Sequence, residues 1–347
     1  MKQIRVLIID DSALARSILK KGLSADPEIE VIGTAPDAFI GRDKIVSDEP
    51  DAITLDIEMP KMDGIEFLRR LMPQHPVPVI VVSALAEPGA RATLDALQYG
   101  AIDFVLKPSS RIGTQLEEMI EDLSMKLKVA AETDVSSWAY RQPKKRRPDS
   151  QVLVGSTDKV VVIGASTGGT VAIRNLIEGF PTDIPGTAVV QHMPPVFTKM
   201  FADRLNETAV VEVKEAENGD KLMPGRVLIA PGGEHLEVIR SGGEYRVRCR
   251  KGEKVNGHCP SVEVLFDSVA RHVGPNAVGV MLTGMGRDGA DAMLRLRKAG
   301  ARTVAQDEAT SVVYGMPREA FECGGAEEQV AIEDMANAVL SRITAME

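Results

Sequence analysis

Two patterns alternate along this chain: short runs that are apolar throughout, and longer stretches in which apolar residues return every three or four positions. In the first 125 residues the apolar runs fall at 4–9, 29–34, 52–55, 77–82 and 104–106. Runs of this length, with no polar alternation, predict strands buried on both faces of a parallel sheet, and the amphipathic stretches between them predict crossover helices. Residues 115–131 predict the closing helix of this set. The alternation resumes at Asp158, with strands expected at 160–163, 188–191 and 277–282 and helices at 197–205, 261–272 and 288–298. Residues 210–250, with Gly-Gly pairs at 232–233 and 242–243, predict strands and hairpins. The fold class expected is α/β, with two doubly wound domains. The first is a flavodoxin-like unit and the second a parallel-sheet unit. No fixed period relates the halves, so they are not repeats.

The pattern lapses between the halves. Residues 126–157 hold Pro143, Pro148, a KKRR run at 144–147 and scattered Ser and Thr, which is the composition of a linker between domains at 1–125 and 158–347. Trp138, the single tryptophan, lies in it. The chain as a whole carries a net charge of −9, and its basic excess is confined to this middle segment. An acidic protein lacks the positive surface that displaces counterions from nucleic acid, so none is expected as a partner. Three cysteines, Cys249, Cys259 and Cys323, have no C-x-x-C spacing, which argues against a zinc site or a disulfide framework. No segment approaches the roughly 18 continuous apolar residues of a membrane span. The N-terminus enters a strand directly, so no leader is expected and the protein is expected in the cytoplasm.

Chemistry is written at the ends of the predicted strands. The first ends in Asp10-Asp11, the third in Asp56 within LDIEMPKMDG, the fourth in Ser83 and the fifth in Lys107-Pro108. Ligands of open parallel sheets bind beyond the carboxyl ends of strands, where strand order reverses. Three carboxylates gathered there repel one another, and a hard cation such as Mg²⁺ relieves that repulsion. A hydroxyl and an ammonium on the same edge suit a phosphoryl group carried by a carboxylate. Each acid alone reads as a helix cap; the ordered set does not.

On IIDDS, LDIEMPKMDG, VVSA and QYGAIDFVLKP, residues 1–125 resemble a response-regulator receiver domain. The resemblance implies that Asp56 accepts phosphate from a histidine kinase, that Asp10 and Asp11 with Asp56 hold Mg²⁺, that Ser83 is the switch hydroxyl, that Lys107 meets the phosphoryl group, and that Tyr99 is the aromatic switch position.

In the second half the segment VVVIGASTGGT breaks from apolar to small and polar residues at Gly164. A phosphate-binding P-loop would need a lysine after its glycines, and a dinucleotide fingerprint would need glycine where Ser166 stands. The match is to G-x-S-x-G between a strand and a helix, the setting of a nucleophile elbow. A Ser-Thr pair opening a helix is also an ordinary cap, so a base is required. Among the five histidines, His192 directly follows the next strand and would lie beside Ser166. His235 follows a Gly-Gly turn and suits a structural role, while His258 lies in a turn beside Cys259. Asp288, after the strand at 277–282, would orient the histidine, and the glycines around Met285 would leave its N–H open to a developing oxyanion. Cys259, followed by Pro260, is a weaker candidate nucleophile.

This half resembles the catalytic domain of the chemotaxis protein-glutamate methylesterases, through VVVIGASTGG, VVQHMPPVFT, LIAPGGEHLEV, CPSVEVLFDSVA, GVMLTGMGRDGA and QDEATSVVYGMPREA. The resemblance implies hydrolysis of glutamate methyl esters, and deamidation of selected glutamines, on methyl-accepting chemoreceptors. Ser166, His192 and Asp288 would form the triad, with Thr167 beside the nucleophile and Met285 as oxyanion donor. No cofactor is implied for the esterase chemistry. The implied partners are a chemotaxis histidine kinase and the receptors, reached by peripheral association without membrane insertion. A receiver joined to a DNA-binding output is the competing arrangement, but the acidic second half with its three strand-end residues argues for an enzyme under phosphorylation control.

Overall fold

The computed structural model describes residues 3–84, 87–108, 114–136 and 158–346. The chain divides into two units, Met1–Pro143 and Lys144–Glu347. In the first, β1 (Ile4–Ile9), β2 (Ile29–Ala35), β3 (Ala52–Leu55), β4 (Val79–Ser83) and β5 (Asp103–Leu106) form a sheet of order β2-β1-β3-β4-β5, with every pairing parallel. Five helices accompany them: α1 (Ala13–Leu23), α2 (Ala38–Asp48), α3 (Gly64–Leu71), α4 (Glu87–Gln98) and α5 (Thr114–Ala131). They fall into two packed groups, α1 with α5 and α2 with α3 and α4. That division covers both faces of a sheet whose central strands are apolar on both sides. Side chains of Ser12, Asp37 and Asp63 cap α1, α2 and α3 by accepting first-turn N–H bonds.

One boundary differs from the sequence expectation for a clear reason. Strand β4 starts at Val79, because Pro78 has no N–H for the ladder and contributes only its carbonyl, to Ile53. Helix α5 ends at Ala131, as its pattern predicts and inside the span 126–157 read as linker, because Leu123, Leu127 and Ala130 keep one face buried. Residues 137–157, with Trp138 and the KKRR run, lie outside the described residues.

The second unit is built on a seven-stranded sheet. Its elements are β6 (Val160–Ala165), α6 (Gly169–Glu178), β7 (Gly186–Gln191), α7 (Phe197–Thr208), β8 (Glu212–Glu215), β9 (Arg226–Ile229), β10 (His235–Ser241), β11 (Glu244–Arg250), α8 (Val262–His272), β12 (Ala277–Met281), α9 (Ala290–Lys298), β13 (Arg302–Gln306), α10 (Met316–Glu322), β14 (Gln329–Val330) and α11 (Met335–Thr344). The order is β14-β13-β12-β6-β7-β9-β8, again all parallel. Among the described residues only β10 and β11 form a hairpin, closed by Gly242-Gly243, both at positive φ as a two-residue turn requires. Strands β8 and β9, expected among hairpins, are parallel members of the main sheet instead.

Strand β6 is buried along its whole length, and α8 lies close against it. A Cβ on Gly164 would come within 2.3 Å of Val262 Cγ1, so only glycine permits this approach. Strand order reverses between β1 and β3 in the first sheet and between β6 and β12 in the second. Asp10 and Asp56 follow the strands that flank the first reversal, and Ser166 and Asp288 follow those that flank the second, where parallel sheets leave a crevice.

Candidate functional site

In the first unit Asp10 and Asp11 follow β1 and Asp56 follows β3. One carboxylate oxygen from each lies within 4.8 Å of the others. Asp10 and Asp56 are buried, and Asp11 faces solvent. Lys107, just past β5, places Nζ 3.0 Å from Asp10 Oδ2 and 2.8 Å from Asp56 Oδ2. Burial raises Asp56 above the usual carboxylate range despite the lysine beside it. Burial opposes the charged form of Lys107, but the two carboxylates prevail and hold its ammonium above its ordinary value. Three carboxylates converging on one point are an all-oxygen donor set and fit a hard divalent cation such as Mg²⁺.

Ser83 pairs with Leu106 across β4 and β5, and its carbonyl accepts the Lys107 N–H at 2.7 Å. The hydroxyl and the ammonium therefore share one sheet edge. Ser83 is buried, and its Oγ is hydrogen-bonded to Thr93. Tyr99, next to the end of α4, is 41% exposed and stands on the surface.

In the second unit, pairing of Ala165 with Gln191 makes Ser166 and His192 the first residues past two neighbouring strands. The His192 N–H donates to Ala165 O at 3.2 Å, and the Ser166 N–H donates to Thr283 O at 3.0 Å. Gly168, at φ +77°, lets the chain turn from Ser166 into α6. His192 Nδ1 lies 3.1 Å from Ser166 Oγ, and Nε2 lies 2.8 Å from Asp288 Oδ2. An ionised carboxylate can only accept, so Nε2 carries the proton and Nδ1 is left to accept from the serine. The ring is presented in the opposite sense to the chymotrypsin arrangement, where Nε2 faces the serine.

Asp288 does not cap α9, the helix it precedes; that N-cap is Gly289. Its carboxylate accepts from His192, from Asn256 Nδ2 at 2.9 Å, from Ser261 Oγ at 2.8 Å and from the Val262 and Glu263 N–H groups at the start of α8. Burial works against the charge, but these donors hold the carboxyl down at about 2.

Four residues at this site escaped the sequence reading. The imidazole of His258 stacks on that of His192, with centroids 3.6 Å apart and planes within 10°. Asn256 and Ser261 come from the same segment between β11 and α8. Gln191 is a further brace: its Nε2 lies 2.9 Å from Ser166 O and 3.3 Å from His192 O. His235 instead is buried and hydrogen-bonded to Glu253 O at 2.8 Å, which is a structural place. Burial and the nearby Glu234 push the Cys259 thiol up, so it is a poor nucleophile. Met285 sits in the turn after β12, and Thr167 is buried beside Ser166.

A family model described as CheB methylesterase matches residues 161–339, and one described as response regulator receiver domain matches residues 6–121. A protein-glutamate methylesterase/protein-glutamine glutaminase of Syntrophotalea carbinolica is 56% identical over 347 residues, covering 99% of this chain and 98% of that protein. The chain belongs to the CheB methylesterase family. A Salmonella typhimurium member is 46% identical, with 99% of this chain and 98% of that protein covered. The catalytic domain of the Thermotoga maritima CheB methylesterase, solved as a crystal structure, matches with a TM-score of 0.52 and 37% identity over 54% of this chain and 99% of that one. The chain is thus an enzyme of the methylesterase/glutaminase kind carrying a receiver domain. Among the described residues no helix is long and apolar enough to cross a membrane.

Proposed function

We propose that this enzyme hydrolyses γ-glutamyl methyl esters on methyl-accepting chemoreceptors and deamidates selected receptor glutamines, under control of phosphorylation at Asp56. The reading rests above all on the unbroken hydrogen-bond path Ser166 Oγ–His192–Asp288. His192 Nδ1 takes the Ser166 proton as Oγ attacks the ester carbonyl, and Asp288 stabilises the imidazolium that forms. The oxyanion is met by the Met285 N–H and the backbone beside Thr167. Collapse of the tetrahedral adduct breaks the C–O bond. The proton passes from His192 to the departing methoxide, methanol leaves, and a glutamyl-serine ester remains. Water, deprotonated by His192, then hydrolyses that ester to free glutamate and Ser166. A glutamine substrate follows the same path with ammonia as the first product.

In the receiver, Asp10, Asp11 and Asp56 are the residues that would hold Mg²⁺, which when bound offsets the negative charge of an incoming phosphoryl group. Asp56 supplies the accepting oxygen for a phosphoryl group from a chemotaxis histidine kinase. Lys107 pairs with the phosphoryl oxygens, and Ser83 and Tyr99 move inward in response. The partners are therefore that kinase and the receptors, met in the cytoplasm at receptor arrays, and nucleic acid is not among them.

The test is methanol release from membranes bearing methyl-labelled chemoreceptors, with Mg²⁺ and with or without acetyl phosphate. Release should rise with the phosphodonor, vanish in Ser166→Ala and stay basal in Asp56→Asn. Undiminished release by Ser166→Ala would overturn the triad.

A further inference from the structure

The N–H assigned above to the oxyanion is one half of the Gly284–Met285 peptide unit. A trans peptide is planar, with C=O and N–H pointing opposite ways, so whatever holds the carbonyl aims the N–H. Gly284 O accepts the Met316 N–H at 2.8 Å and the Gly315 N–H at 3.2 Å, and the Gly284 N–H donates to Val313 O at 3.1 Å. The Met285 N–H makes no hydrogen bond among the described residues. One side of the peptide is gripped, and the other is left open beside the nucleophile. A Cβ on Gly284 would come within 2.8 Å of Ser166 Cβ.

We propose that the segment 307–316 is a positioning element for the oxyanion donor, acting through Gly315 and Thr283. This rests on Met285 being that donor. The segment is itself fastened at both ends. Gln306 accepts the Thr283 N–H at 2.9 Å and donates to Thr310 O at 2.7 Å, while Asp307 caps the turn by accepting the Thr310 N–H at 3.0 Å. Thr283, fully buried, accepts the Val313 N–H at 2.9 Å, and its hydroxyl lies 3.0 Å from the carbonyl of Thr167. One side chain thereby links the gripping segment, the end of β12 and the turn that carries Ser166. Polar groups buried this deeply hold their geometry because leaving either partner unpaired is costly.

Gly315 shows how closely the segment is fitted. Its φ of −104° suits any residue, so its need for glycine is a matter of space. A Cβ would lie 2.7 Å from Gly284 O and 3.0 Å from Gly286 N, pressing on the peptide that aims Met285. Among the described residues neither Gly315 nor the Thr283 side chain hydrogen-bonds His192 or Asp288, so a defect here should slow the chemistry without altering how the base titrates.

The experiment uses the full-length protein and methyl-labelled receptor membranes. Gly315→Ala should lower kcat at least tenfold, toward the roughly 10²–10³-fold loss seen when an oxyanion donor is removed outright. KM and the pH profile of kcat should stay unchanged, and covalent labelling of Ser166 by an organophosphonate should slow in parallel. Thr283→Val should show a smaller loss, and Thr283→Ser should restore most of it. The Met285 amide resonance separates the two ways of failing. If it moves in Gly315→Ala while kcat holds, Met285 is not the oxyanion donor. If neither resonance nor kcat moves, the segment does not position it. A lower kcat with a displaced pH profile would mean a general loosening of the site and would overturn the proposal.

Discussion

Thr93 Oγ1 lies 2.7 Å from Ser83 Oγ, in a contact closed to solvent on both sides. The same threonine oxygen is 2.7 Å from Gly89 O, so Ser83 is tied into the first turns of α4. A serine that moves to meet a phosphoryl group on Asp56 must first give up this partner. Removing it should ease the move. Thr93→Val is expected to lower the acetyl phosphate concentration for half-maximal activation about fivefold, the equivalent of one hydrogen bond of about 1 kcal/mol. A half-point that does not fall in an activation titration would show that Thr93 does not restrain the switch.

The stacked pair His192 and His258 supports a second expectation. A flat partner limits rotation of the base and lies against the imidazolium formed during catalysis, for about 1 kcal/mol. His258→Ala should lower kcat roughly fivefold on the same scale, whereas His258→Phe, which keeps a ring in place, should hold most of the rate. Equal losses in the two variants would assign His258 a role other than stacking.

Asp288 predicts both a rate and an acid limit. Asp288→Asn would favour the wrong tautomer of His192, and kcat should fall by about 10⁴. The carboxyl is held at about 2, below the ordinary aspartate value of 3.8. A depressed carboxylate stabilises the fold above its unfolded pKa and loses that contribution as pH falls through its folded one. The loss should therefore run from about pH 4 to about pH 2 and amount to on the order of 2 kcal/mol. Urea unfolding of wild type and Asp288→Asn across that window should show a steeper decline in the wild type, and parallel declines would refute the assignment.

Gly164 should not tolerate a methyl group. Gly164→Ala drives a Cβ into Val262 and should cost about 1–3 kcal/mol by pushing α8 from β6. Val262→Ala in the same chain should recover part of that stability. Urea midpoints of the two variants decide it.

Most of the site could be read from sequence because its residues stand at strand ends. Apolar runs locate the strands, parallel order puts their carboxyl ends on one edge, and His192, Asp10, Asp56 and Lys107 each directly follow a run, with Ser166 in the glycine turn after another. Asn256, His258 and Ser261 follow no run. They lie between the β10–β11 hairpin and α8, and their place depends on how closely α8 approaches β6, which a tertiary contact at Gly164 decides. Gln191 was hidden for another reason: it ends a strand, and a buried amide there reads as part of the apolar run. Asp288 accepts the first N–H groups of α8, a helix that precedes it in the chain, and does not cap α9, which follows it.

That sharing has a consequence for how the protein comes into being. One carboxylate both completes the first turn of α8 and sets the tautomer of His192. The helix and the base lie far apart in the chain, and the acid that joins them comes later than either. A nascent or partly unfolded chain whose α8 has not docked has a serine and a histidine but no oriented base. An oriented base therefore requires that α8, Asp288 and His192 have come together, so hydrolytic competence is tied to tertiary structure and not to any local segment.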